Sequence, residues 1–243
     1  MFVYFDFSLP RAVTEQLIER IDDIKSSSLT DASLKRLTSF QTKNKTRQGV
    51  YVIYLSRVAV YAGKADDVTE RLSEHLWKLR GRQGIDLAEV GYKALLLNEN
   101  WSTSANEGLL IAHFKNKSEC KWNGGGFGPK DPGKNRDGSE PSWFDNKFPV
   151  QESFQLEKIH DHTTVGMVMA QVKDQVPYLF RYEITDKLKS TPLDLRGVKR
   201  EVESVLVHAA QTLGNGWQLM LFKNGFTLYQ ANWTYAHGRQ ILP

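Results

Sequence analysis

One stretch constrains the fold of this chain more than any other: Gly49-Val50-Tyr51-Val52-Ile53-Tyr54-Leu55-Ser56-Arg57-Val58-Ala59-Val60-Tyr61-Ala62-Gly63-Lys64-Ala65. Two runs of β-branched and aromatic residues flank the polar pair Ser56-Arg57, which is the pattern of a β-hairpin. Each run sets a tyrosine near a glycine, as Gly49-Val50-Tyr51 in the first and Tyr61-Ala62-Gly63 in the second. Taken alone, this is a hairpin with cross-strand aromatic contacts and carries no chemistry.

The segments around the hairpin supply candidates. Val13, Leu17, Ile21 and Ile24 recur at helical spacing, and Leu34 and Leu37 suggest a second, short helix, so residues 1–44 read as an N-terminal helical arm. A basic run, Lys43, Lys45 and Arg47, leads into the hairpin. After it, Asp66-Asp67 can cap a helix whose buried stripe is Val68, Leu72, Leu76 and Leu79. Arg71 and His75 lie one turn apart on that helix; Arg71 could equally pair with Asp67. Residues 88–97 read as a third strand. Ser104 and Glu107 have capping-box spacing, which by itself explains the glutamate. Leu110, Ile111 and Phe114 mark the core face of the helix they begin. Lys121 to Arg136 is a glycine-rich basic loop without the lysine-serine pair of a nucleotide-binding loop. Its glycines permit close backbone approach, and its cations suit phosphates.

The texture changes near residue 151. Val165–Ala170 and Tyr178–Ile184 alternate as strands, the apolar positions from Leu195 to Leu213 fit one helix, and Trp217–Phe222 with Phe226–Tyr229 form a hairpin about Asn224-Gly225. Residues 151–243 are therefore expected to be a separate α+β domain for recognition or partner binding. His160 and His162 flank Asp161, but no further ligand cluster stands near them in sequence, so a metal is not expected there. The single cysteine, Cys120, excludes an internal disulfide. Neither a signal peptide nor an apolar run of membrane-spanning length is legible, so the expectation is a cytoplasmic, prokaryotic intracellular protein with no membrane contact. A net charge of +4 permits a nucleic-acid partner without demanding one.

Taken in order, Gly49-Val50-Tyr51, Tyr61-Ala62-Gly63, Arg71, His75, Glu107 and Trp122-Asn123 resemble the GIY-YIG nuclease superfamily. The likeness is closest to its type II restriction endonuclease branch, through Gly63-Lys64-Ala65, Gly126-Phe127-Gly128 and Asp131-Pro132-Gly133, and it covers residues 45–150. Ala62 departs from the family's usual aliphatic residue, and the gap from Glu107 to Asn123 is longer than usual, so Asn116 is an alternative to Asn123. The resemblance implies an α/β (α+β) core, a small mixed sheet flanked by helices. It also implies a Mg²⁺-dependent DNA endonuclease, with Mn²⁺ able to substitute, acting on double-stranded DNA as a homodimer. The implied catalytic set is Tyr51, Tyr61, Arg71, His75, Glu107 and Asn123, with Glu107 as the metal ligand. Lys64, Lys121, Lys130, Lys134 and Arg136 are the expected DNA contacts. A low-specificity effector in phage defence or repair, with a sensor C-terminal domain, and a DNA-binding module that does not cut are the alternatives.

Overall fold

Ser56 and Arg57 both adopt positive φ, 49° and 69°, the two-residue turn that matches strand twist. They join strands Gly49–Leu55 (β2) and Val58–Ala65 (β3) where the sequence places the hairpin. The computed structural model describes residues 2, 4, 8–97, 111–113, 120–128 and 133–242. The chain is an α+β protein that divides into two compact units, Met1–Trp77 with Ile85–Gly128, and Lys78–Gly84 with Pro129–Pro243. The division expected at residue 150 therefore falls earlier, and the short segment Lys78–Gly84 joins the second unit.

In the first unit the hairpin is extended by Val90–Leu96 (β4) and the two-residue strand Ser27–Ser28 (β1), in the order β1-β4-β2-β3. Every pairing is antiparallel, where a mixed sheet was expected. Gly49 is required by the sheet itself: a Cβ there would meet the Leu95 carbonyl oxygen of β4 at 2.3 Å. The first 44 residues are no separate arm. Helix α1 (Leu9–Asp23) packs Val13, Leu17, Ile18 and Ile21 against Val50, Val52 and Ala62 in one core. Helix α2 (Asp31–Asn44) is longer than the short helix expected and opens on a full capping box between Thr30 and Ser33. Near its end, Gln41 donates to the Arg47 carbonyl and to Asp67, and accepts from the Thr69 hydroxyl. Asp67 in turn accepts from Thr69 N and Glu70 N, which starts helix α3 (Val68–Arg80) as the sequence suggests.

The outer edge of β3 is covered by a loop. Cys120 N donates to Ala59 O at 2.7 Å and Trp122 N to Val60 O at 2.9 Å. This removes a bare edge strand from the sheet.

The second unit holds Trp143–Lys147 (α4), His162–Thr164 (β5), Val165–Gln175 (α5), Leu179–Tyr182 (β6), Asp186–Ser190 (α6), Pro192–Asp194 (β7), Val202–Leu213 (α7), Trp217–Phe222 (β8), Gly225–Gln230 (β9) and Arg239–Leu242 (β10). Its main sheet runs β10-β8-β9-β6, with β6 parallel to β9, and β5 pairs with β7 separately. Helices α5 and α7 bury Val168, Met169, Val172, Val205, Leu206 and Ala209 in the core that also takes in Leu219 and Phe226. Two expectations are corrected. Val165–Ala170 is helix, capped by the Thr164 hydroxyl accepting from Met167 N, and α7 begins at Val202, beyond Leu195 and Val198. Arg82 and Asp145 form an ion pair at 2.8 Å with both side chains largely out of solvent. No helix among the described residues is long and apolar enough to cross a membrane.

Candidate active site

Side-chain alternation puts Tyr51, Tyr61 and Gly63 on one face of the hairpin, because Tyr51 is paired with Gly63 and Ile53 with Tyr61. On α3, the same stripe that buries Leu72 and Leu76 carries His75 toward that face. The result is a hydrogen bond of 2.9 Å between the Tyr51 hydroxyl and His75 Nε2, with Tyr51 only 1 % and His75 only 3 % exposed. Gly63 makes the meeting possible. A Cβ on it would lie 2.7 Å from the Tyr51 hydroxyl oxygen and 3.0 Å from Tyr61 Cε1. The glycines of the two motifs thus have different reasons: Gly49 admits a neighbouring backbone, and Gly63 admits two phenol rings.

Aromatic contacts fix the arrangement. The Tyr51 and Tyr61 rings stack with centroids 6.1 Å apart, and Tyr61 meets His75 edge-on at 5.1 Å. Phe127 closes the cluster. It stacks on His75 at 4.7 Å with 22° between planes and touches Tyr61 and Trp122 as well. Phe127 was part of the recognised motif but had no role assigned; a phenylalanine set between glycines in a polar loop was the available signal.

Arg71, one turn before His75, pairs with Glu74 and remains partly exposed. Burial works to lower the ionisation of its guanidinium, but the hydrogen bond to Glu74 and the nearness of Tyr51 outweigh that, so the charge is held more firmly than usual. The expected alternative, a pair with Asp67, does not form, since Asp67 caps the helix and meets Arg47 at 3.7 Å. Burial is also the main influence on Tyr51. It pushes the phenol well above its ordinary range, the neighbouring Tyr61 adds to this, and Arg71 opposes it. Tyr51 is accordingly a protonated phenol at neutral pH.

Asn123 belongs to the catalytic set that the resemblance implies. Its side chain instead donates to Ala62 O and accepts from Ala62 N, each at 2.8 Å, so both ends of the amide hold the loop to β3 beside Tyr61. Glu107, Asn116 and Lys130 lie outside the described residues, as does the Arg136 side chain. Lys64 and Lys121 are exposed in the first unit, and Lys134 is exposed in the second. Arg136 ends the short 3₁₀ turn Lys134–Arg136, also in the second unit. Among the described residues, no group of three or more His, Cys, Asp and Glu could hold a metal ion. The structure thus brings together Tyr51, Tyr61, Arg71 and His75 from positions 51 to 75 of the chain. No protein-family model matches the chain, and a comparison with curated proteins gives no match.

Proposed function

We propose that this protein is a DNA endonuclease of the GIY-YIG type, hydrolysing phosphodiester bonds of duplex DNA with Mg²⁺ in a prokaryotic cytoplasm, as a restriction enzyme. The observation that carries the reading is the buried 2.9 Å hydrogen bond between Tyr51 and His75 beside the partly exposed cation of Arg71. Arg71 is the outermost of the four groups and presents a permanently charged fork to a phosphate. Tyr51 is held protonated, so it does not act as a standing phenolate. It acts as a relay: its hydroxyl passes a proton to His75 Nε2 as it takes one from the attacking water, and no free phenolate accumulates. Tyr61, stacked beside Tyr51, orients the same water or a phosphate oxygen. Asn123 and Phe127 position Tyr61 and His75 without touching substrate. A divalent ion on Glu107 would supply Lewis-acid stabilisation of the phosphorane-like charge.

The test is supercoiled plasmid incubated with Mg²⁺ or with EDTA. Discrete Mg²⁺-dependent fragments are expected. Random nicking would point instead to a low-specificity effector, and bound but uncut DNA would refute catalysis.

A further inference from the structure

The loop joining β9 to β10 presents Trp233 at the surface with 47 % of the residue exposed. This indole is held firmly. Gln218, buried in β8, donates to the Trp233 carbonyl at 2.8 Å and accepts from the Trp233 N–H at 3.3 Å, gripping the backbone from both sides. Tyr229 and Tyr235 meet the indole at steep angles, with centroids 5.8 and 6.3 Å away. The Lys134 ammonium stands 4.5 Å from the Tyr229 ring centre and 5.2 Å from that of Trp233. Asp137, three residues after Lys134, is engaged by Arg181 and by the Tyr229 hydroxyl. All of these residues belong to the second unit.

We infer that Trp233 and Lys134 form a nucleic-acid contact, in which the indole stacks on an unstacked base and the ammonium meets an adjoining phosphate. A nucleotide is the ligand class in which a flat π surface and an anion lie side by side, and these two side chains match both. A purely apolar partner would match the indole and leave the ammonium to be desolvated. The ring is preorganised by Gln218 and two tyrosines, so little freedom is lost on binding. The net charge of +4 permits the same partner. The inference rests on the nucleic-acid half of the function proposed above and not on cleavage.

The experiment is fluorescence anisotropy in EDTA with duplex and single-stranded oligonucleotides, repeated with 2-aminopurine to report unstacking. Trp233→Ala should weaken binding about 10- to 100-fold, and Trp233→Phe should recover most of the loss. Lys134→Gln should reduce the slope of log affinity against log salt by about 0.9 on duplex. Unchanged affinity in Trp233→Ala, or a wild-type protein that binds neither oligonucleotide, overturns the inference. So does a Trp233→Ala effect confined to self-association in light scattering. If Trp233→Ala fails to fold by circular dichroism, the exposed Lys134→Gln change decides, and an unchanged salt slope overturns it. Mg²⁺-dependent plasmid cleavage is scored separately. Cleavage with no Trp233 effect sinks this contact alone, whereas Trp233-dependent binding with no cleavage sinks the nuclease alone.

Discussion

Gly63→Ala is the sharpest perturbation of the candidate site, because it adds one methyl group and removes no functional atom. The new Cβ would stand 2.7 Å from the Tyr51 hydroxyl oxygen and 2.9 Å from Cζ, where ordinary contact begins at 3.4 Å. Tyr51 must therefore move by about 0.7 Å, a shift a close-packed interior resists. Taken along the hydrogen bond to His75, that shift stretches 2.9 Å to about 3.6 Å, beyond hydrogen-bonding range. Overpacking costs roughly 1–3 kcal/mol, and a buried phenol left without its partner about 1–3 kcal/mol more. Thermal melting should accordingly fall by about 4–24 °C for a chain of this size. Cleavage should fall by at least about tenfold even at temperatures where the variant is fully folded, because the relay is broken. The double-mutant cycle with Tyr51→Phe assigns the cause. If the hydroxyl is what the methyl group displaces, the two changes should be coupled by about 1 kcal/mol or more. Additivity within about 0.5 kcal/mol, or wild-type melting and activity in Gly63→Ala, would refute the reasoning.

Tyr51→Phe alone should reduce cleavage by at least about 10²-fold with the fold retained, measured as initial plasmid rates, since the ring still packs and only the proton carrier is lost. Glu107→Ala should abolish cleavage while leaving DNA affinity within about tenfold by anisotropy; activity near wild type would leave Glu107 as a helix cap only. Mixing wild type with excess Glu107→Ala should turn plasmid mainly into nicked circles if the protein cuts as a homodimer, and an undiminished share of linear product would exclude one. Stability should decline as pH rises above about 10. Tyr51, Tyr178, Tyr182 and Tyr235 all have phenols raised mainly by burial, so the folded state keeps protons that the unfolded state has released, and folding weakens with pH. Urea unfolding at pH 8 and at higher pH checks the sign; a flat or rising midpoint would contradict it.

The hairpin, its turn, the α3 stripe and the second hairpin were legible because each is local: period, cap and turn chemistry lie within a few residues. The misread elements are those where two local templates both fit. Val165-Gly-Met-Val-Met-Ala is a short apolar run that fits a strand, yet Val165, Val168, Met169 and Val172 also follow a helical stripe, and those are the positions found buried. The Thr164 cap decides between them. The unit boundary was misplaced for another reason. Lys78–Gly84 is continuous with α3 in sequence, but Arg82 is bound to Asp145 and to the Phe148 carbonyl, contacts more than 60 residues away that no local signal announces.

The cluster of Tyr51, Tyr61, Arg71 and His75 was legible as an ordered list of residue types, while the reason for the list was not. A tyrosine in the catalytic set that the resemblance implies could serve as a base only if its neighbours lowered its pKa. The geometry argues the opposite. Placing Tyr51 under Tyr61 and against His75 removes it from water, and desolvation of the anion dominates over the help given by Arg71. A phenolate in this setting would be rare at neutral pH, so a mechanism that required one would be slow. The same burial that disfavours the anion aligns a protonated hydroxyl with a histidine nitrogen at 2.9 Å, and a proton relay needs that alignment and no standing charge. Gly63 and Phe127 are explained by this requirement: one clears the space for the Tyr51 hydroxyl, and the other stacks on His75 and holds its ring toward it. On this reading cleavage should show no step near pH 10 until the fold itself fails, because no phenol ionises during turnover. A rate that instead climbs with the fraction of ionised phenol would restore Tyr51 as the base and refute the relay.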